Sequence, residues 1–268
     1  MTGPKTSLKT KVTTMQTVDR SLELINLLAS AHDGLSALEL SKLLNITRTS
    51  TYAILNSFIN QGFVEQISKT GRYTIGYRFF TIGSQYQYQY PFIGIVKKYI
   101  DHLDSRFQVN VSVLKPGMQL LILLARESVY VPTLIPVHIC PAYACASGKV
   151  LLSYLPEHEL DALVNATEFQ PFTSKTVKTA AELKEQIALV KAQGYATEEE
   201  EMLPGRGCIA FPIFDASGMT LGTISLSGKI ETIAQEKAAL IRSLQDVATV
   251  ISSELGYSIL TSQKRFGI

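Results

Sequence analysis

Apolar residues recur at helical spacing from Val18 onward, at Val18, Leu22, Ile25 and Leu28, with Leu24 widening the stripe. This spacing predicts a helix over about 18–31, ended by the turn dipeptide Asp33-Gly34. Ser36, with Glu39 three residues later, has the form of a capping box for a second helix that stops near Leu44-Asn45. Thr47 can cap a third helix. In it Thr51, Ile54, Leu55 and Phe58 stand at i, i+3, i+4 and i+7 as the buried face, and Arg48, Thr49, Tyr52 and Asn56 fall opposite. Gly62 supplies a left-handed stop. Two short strands follow, 63–67 and 72–75, around Lys69-Thr70-Gly71. Helix, tight turn, helix and glycine-tipped hairpin make the outline of a winged helix-turn-helix, whose third helix fits a DNA major groove.

Behind this head, 78–90 reads as a linker helix, although Tyr86-Gln-Tyr-Gln-Tyr90 also alternates as a strand would. From Phe92 helices and strands alternate. A helix is expected over 93–106, a hairpin from 109–114 and 120–125 around Lys115-Pro116-Gly117, and a further strand over 129–135. Helices are expected over 146–155, 157–164 and 180–193, the last closed by Gly194. Strands 208–214 and 220–227 flank Asp215-Ala216-Ser217-Gly218, and a final helix covers about 234–255. Tight turns between strands imply an antiparallel sheet partly covered by helices, an α+β fold. The expected organisation is a tail over 1–16, a winged helix-turn-helix over 17–77, a linker helix over 78–91, a second domain over 92–257 and a tail over 258–268.

Charge sharpens this division. Residues 1–90 carry nine Lys/Arg against five acids, a net +4, and the remainder carries sixteen against eighteen, a net −2. A basic front and an acidic back suit a DNA-binding head on a body with another task. The contacts expected to reach DNA are Arg48 at a guanine edge or phosphate, with Thr49, Ser50, Tyr52 and Asn56 beside it. Lys69 and Arg72 sit on the wing, and Lys9 and Lys11 in the Thr/Lys/Ser-rich N-terminal tail could form an arm. That tail has no apolar signal core, and the longest apolar runs, such as LLILLA at 120–125, are too short for a bilayer. The three cysteines, Cys140, Cys145 and Cys208, lack the even count and spacing of a disulfide framework, which points to a reducing cytoplasm.

The second half holds a candidate ligand site. Pro141–Lys149 packs small residues just before a helix, so a ligand can approach free amides at the positive end of the helix dipole. Ser225 and Ser227 are two apart on a strand and project from one face. Cys208 opens the neighbouring strand, and an acidic run, 198–201, precedes it. Amides and parallel hydroxyls suit a small carboxylate, although small residues also permit close helix packing and acidic runs are commonly solvated loops. The four histidines are scattered without metal-ligand spacing, and no phosphate-binding glycine loop occurs, so no cofactor or metal is expected. A cysteine nucleophile, Cys145 or Cys208 with His138, would make the body a sensory or thiol enzyme whose helical head serves only oligomerisation. No motif supports that alternative.

The chain resembles the IclR-type bacterial transcriptional regulators over about residues 15–257. The blocks that carry the likeness are MQTVDRSLELINLLA, ITRTSTYAILNSFINQGFVEQ, GRYTIGYRFFTIG, PAYACASGKVLLSYLPEHEL, EEEEMLPGRGCIAFPIFDASG and LGTISLSGK, in that order. The resemblance implies a winged helix-turn-helix joined by a linker helix to a GAF-like effector domain. It further implies a homodimer or homotetramer on a palindromic operator, and regulation, as a repressor, by a small organic acid of carbon catabolism rather than catalysis. Family ligand contacts fall on Ala146, Ser147, Glu198, Cys208, Ser225 and Ser227. The chain departs from the family pattern at Ala53, where a large polar residue is usual on the recognition helix, and at Glu198, where Asp is frequent.

Overall fold

The computed structural model describes residues 15–87, 89–126 and 139–258. The chain divides into two compact units, Met1–Gln89 and Tyr90–Ile268. The expected N-terminal arm (Lys9, Lys11) and the expected strand over 129–135 lie outside the described residues.

The first unit runs α1 (Gln16–Ser30), α2 (Ala37–Leu43), α3 (Arg48–Asn60), β1 (Val64–Gln66), β2 (Tyr73–Ile75) and α4 (Arg78–Gln87). The local signals act as chemistry predicts. Ser36 Oγ accepts from the Glu39 amide at 3.3 Å, and Glu39 returns a carboxylate oxygen to the Ser36 amide at 2.7 Å. Asn45 turns the chain at φ 50°, and Thr47 Oγ1 accepts from the Ser50 amide at 3.1 Å to start α3. Thr51 and Leu55 are fully buried, Leu55 in one cluster with Leu24, Leu28, Leu40 and Val64. β1 and β2 pair antiparallel, and a backbone bridge between Leu35 and Tyr73 (2.9 and 2.8 Å) fastens the wing to the segment before α2. Gly34 allows that approach. Its φ is +67°, and a Cβ there would lie 2.4 Å from the Tyr73 carbonyl oxygen.

The second unit is built on a six-stranded antiparallel sheet of order β5-β4-β3-β8-β7-β6. Its strands are β3 (Gln108–Lys115), β4 (Gln119–Arg126), β5 (Ile139–Pro141), β6 (Ala196–Glu199), β7 (Arg206–Phe214) and β8 (Thr220–Lys229). Alternation gives the sheet two unlike faces. Val109, Val111, Ile209, Phe211, Ile213, Ile224 and Leu226 pack on α5 (Phe92–Val96) and α9 (Ile230–Glu254) through Phe92, Val96, Leu240, Leu244 and Ile251. The opposite face, with Ala196, Ala210 and Cys208, meets Ala146 and Val150 of α6 (Ala146–Ser153) and Val190 of α8 (Ala180–Gln193). The remaining helix, α7, spans Glu157–Ala166. The result is the expected α+β architecture.

Four elements differ from the sequence reading, one of them β5, which has no counterpart in it. The helix expected over 93–106 is α5 followed by a 3-10 turn, Ile100–His102. The amides of Lys98 and Tyr99 bond three residues back (3.0 and 2.9 Å), which tightens the coil while Ile100 and Leu103 still reach the core. The acidic run begins in an edge strand, β6, rather than a loop. Finally, α9 starts at Ile230, because buried Ile233 rewards helix formation where β-branched Ile230, Thr232 and Ile233 disfavour it locally.

α6 sits unusually close to its preceding turn. A Cβ on Gly148 would lie 2.1 Å from the Ala142 carbonyl oxygen and 2.4 Å from its Cα. Backbone atoms cannot yield as a side chain would, so Gly148→Ala should displace α6 and destabilise the protein by about 2 kcal/mol, as overpacking does. Urea titration measures this. An unchanged midpoint would mean that α6 is free to move.

Candidate functional site

In the first unit, α3 presents Arg48, Thr49, Ser50, Tyr52 and Asn56 to solvent. Arg48 stands in the first turn, the end of a recognition helix that approaches base edges. Ser50 Oγ lies 2.9 Å from Thr47 Oγ1 and so shares in the cap. Lys69 is exposed at the tip of the wing. Arg72 is more constrained. Its Nε donates to the Gly34 carbonyl at 3.1 Å and its Nη2 to Glu39 Oε1 at 3.0 Å, bracing the wing against the start of α2. The Ser36 amide, the Ser36 hydroxyl and Arg72 together pull the Glu39 carboxyl down to about 2.

In the second unit Glu198, Cys208, Ser225 and Ser227 share the polar face of the sheet, Ala146 packs on it, and Ser147 is buried on α6. Strand register sets Glu198, Cys208, Ser227 and Gln108 in one cross-strand row, and Ala196, Ala210, Ser225 and Asn110 in the next. α6 covers this face. Its N-terminal residue, Ala146, is packed on Ala196 and Ala210, and Ser147 is buried behind it. Cys145 supplies no side-chain cap, unlike Ser36, Thr47 and Thr179 at the starts of α2, α3 and α8. Among the described residues no side-chain cap from Cys145 closes the first amides of α6.

Sequence reading missed three polar side chains here. Gln108 and Asn110 continue the row from β3, and Gln108 Nε2 donates to Asn110 Oδ1 at 3.1 Å. Arg206 donates from Nη2 to Gln108 Oε1 and to Ser227 Oγ, both at 3.3 Å, which places a guanidinium at the edge of the floor. The signal for the first two was the alternation Gln-Val-Asn-Val-Ser in β3. For Arg206 it was the shared parity with Cys208, visible only once β7 is known to begin at Arg206.

Electrostatics divide the floor. Burial pushes the Glu198 carboxyl up to about 7, although the amides of Glu201 and Met202 donate to its Oε1, the latter at 3.2 Å. Burial likewise pushes the Cys208 thiol to about 12, aided by Glu198, so it is a poor nucleophile. Lys149 of α6 forms a buried ion pair with Glu201, tying the helix to the turn after β6. A cavity of about 460 Å³ lies elsewhere, lined by Cys140, Tyr143, Gln170 and Phe172 among others, and by none of the six expected contacts. Among the described residues no group of three His, Cys, Asp or Glu could hold a metal ion. No helix among them is long and apolar enough to cross a membrane.

Known proteins give this arrangement its context. The model for the IclR helix-turn-helix domain matches residues 17–68, and that for the bacterial transcriptional regulator IclR C-terminal matches residues 136–253. The transcriptional repressor IclR of Escherichia coli is 27% identical over 233 residues, covering 83% of each chain. The acetate operon repressor of Salmonella typhimurium is 26% identical over 233 residues, again 83% of each. The crystal structure of Thermotoga maritima IclR superposes with a TM-score of 0.77 at 25% identity, covering 91% of this chain and all of that one. With head and body both matched, in order, this chain belongs to the IclR family of DNA-binding transcriptional regulators, which are not enzymes.

Proposed function

We propose that the protein is a repressor that grips a palindromic operator as a homodimer or homotetramer and changes its grip when a small carboxylate binds the second unit. The observation that carries the ligand reading is the convergence of Ser225, Ser227, Arg206 and the uncapped start of α6 on one polar floor. A carboxylate there gains amide donors, hydroxyls and a guanidinium, the donor set that planar anions favour. The name of the Salmonella typhimurium relative, which ties that protein to an acetate operon, supports an organic acid of carbon catabolism. A sugar acid or hydroxy acid suits the polar floor best. Apolar side chains left exposed on the first unit, Leu22 on α1 and Phe80 and Ile82 on α4, support pairing with a second copy. A cytoplasmic location accords with the free thiols.

The ligand acts by binding one dimer arrangement more tightly than another. Half-sites lie about 34 Å apart, so a small change in the separation of the two recognition helices weakens the grip. Ser225→Ala combined with Ser227→Ala should remove the acid-induced change in operator affinity, about 5- to 150-fold, and leave grip without acid intact. Electrophoretic shifts across a panel of small acids measure both. A double variant that responds as the wild type does would take these serines out of the mechanism.

Arg48→Ala should cost about 1–3 kcal/mol on the preferred operator and flatten discrimination at one base position. Lys69→Ala should instead weaken all duplexes alike and reduce the salt slope by about one. Fluorescence anisotropy on operator and scrambled duplexes separates the two patterns. If Arg48→Ala weakened both duplexes equally, Arg48 would be a phosphate contact only.

A further inference from the structure

Cys140 and Cys145 are joined in space in a way their sequence positions do not reveal. Cys140 lies on β5, the edge strand of the sheet, and Cys145 is the residue from which α6 springs. The 3-10 turn Ala142–Ala144 folds the chain back between them, so that the two sulfurs lie 3.3 Å apart. The turn is fixed from both sides. The Ala142 amide donates to the Met118 carbonyl at 2.7 Å, and the Tyr143 hydroxyl donates to the Gln170 carbonyl at 3.1 Å while accepting from the Gln170 amide at 2.9 Å. The cavity of about 460 Å³ opens on Cys140, with Gly117, Met118, Tyr143 and Phe172 in its walls. A small reagent therefore has space beside Cys140, whose sulfur is in contact with that of Cys145.

We propose that Cys140 and Cys145 form a peroxide-oxidisable dithiol, a modification site that closes into an intrachain disulfide at the start of α6. Sulfurs at 3.3 Å need to approach by little more than 1 Å to reach the roughly 2.05 Å bond. The Cys140 thiolate attacks one oxygen of a hydroperoxide, breaking the O–O bond. The sulfur is oxidised to a sulfenic acid, and the other oxygen leaves as water or an alcohol after taking a proton. Cys145 then attacks the Cys140 sulfur and expels the sulfenic oxygen as water, its thiol proton going to that oxygen. Two thiols and one hydroperoxide thus give one disulfide, one water, and one further water or alcohol. The hydrogen bond between the two sulfurs lowers the Cys140 thiol against the opposing effect of burial, which suits Cys140 to attack first, and it raises Cys145, which therefore resolves only as its proton passes to the departing oxygen. Among the described residues Cys208 has no cysteine partner in hydrogen-bond contact, and burial holds its thiol at about 12.

The test is to treat the full purified chain with hydrogen peroxide, quench it, and count thiols after unfolding. The wild type should fall from three thiols to one, and the tryptic peptide that carries both Cys140 and Cys145 should become two hydrogens lighter and regain them with dithiothreitol. Cys145→Ser should form no intrachain disulfide and should trap a dimedone-reactive sulfenic acid on Cys140, while Cys208→Ser should fall from two thiols to none and form the same intrachain disulfide. Survival of all three thiols under excess peroxide would overturn the proposal. So would thiol loss confined to Cys208, or disulfides found only between chains.

Discussion

Lys149→Met should lower stability by about 3–5 kcal/mol at neutral pH, the loss expected when one partner of a buried ion pair is removed. The lysine side chain is 1% exposed and that of Glu201 is 9% exposed, so neither charge has bulk water to fall back on. The second carboxylate oxygen of Glu201 is already without a hydrogen-bond partner among the described residues. Methionine fills the lysine's volume and strands the carboxylate. A polar cavity of about 420 Å³ beside the pair, lined also by Lys175, Gln186 and Glu199, admits some rescue and sets the expectation toward the lower end of that range. The double variant Lys149→Met, Glu201→Leu should recover most of the loss, because it removes both desolvated charges together. Urea unfolding of the two variants and the wild type decides the matter. If the single and double variants were equally destabilised, the pair would carry no electrostatic weight. The pair ties α6 to the turn after β6, so the single variant should also loosen the helix start on which the ligand reading depends.

Stability should decline between about pH 4.5 and pH 7 by about 3 kcal/mol on account of Glu198 alone. Its carboxyl lies at about 7 in the folded chain, against an ordinary 4.5, because burial disfavours the ionised form. In that window the folded state holds a proton that the unfolded state has released. Folding is therefore favoured at low pH, and the advantage is lost as pH rises toward the folded value. A shift of this size corresponds to roughly 1.36 kcal/mol per unit. Glu198→Gln keeps the shape and removes the titration, so the difference in unfolding free energy between variant and wild type should grow as pH rises from 5 to 8. A constant difference across that range would mean that Glu198 is ionised throughout. The same proton bears on ligand choice, since a neutral Glu198 leaves Arg206 and the α6 amides facing an anion without a competing charge.

The head was legible residue by residue because its determinants are local. The Ser36/Glu39 box, the Thr47 cap, Asn45 at positive φ and the Thr51/Leu55 stripe each act within a few residues. The second unit was legible in its hairpins, where Gly117 and Gly218 turn the chain at positive φ, and in α8, whose limits at Ala180 and Gln193 are marked by Thr179 and Gly194. What stayed hidden depends on partners far away in sequence. β6 is an edge strand whose glutamates mimic a loop, yet Glu198 turns inward only because it pairs with Cys208. Arg206 joins the floor only through its hydrogen bonds to Gln108 and Ser227. The break after α5 reflects packing on α9 rather than any breaker residue. The Cys140/Cys145 approach depends on a turn that no spacing rule announces.

The most direct measurement of the central claim is equilibrium binding of the purified chain, at one fixed salt concentration, to a duplex from the region upstream of its own gene and to a scrambled duplex of equal length. Each duplex is measured with and without the small acid that most raises the melting temperature. The account predicts a preference of about 10³-fold or more for the upstream duplex, and a change of about 5- to 150-fold in that affinity when the acid is added. Equal affinity for both duplexes, unmoved by any acid that binds, would contradict it.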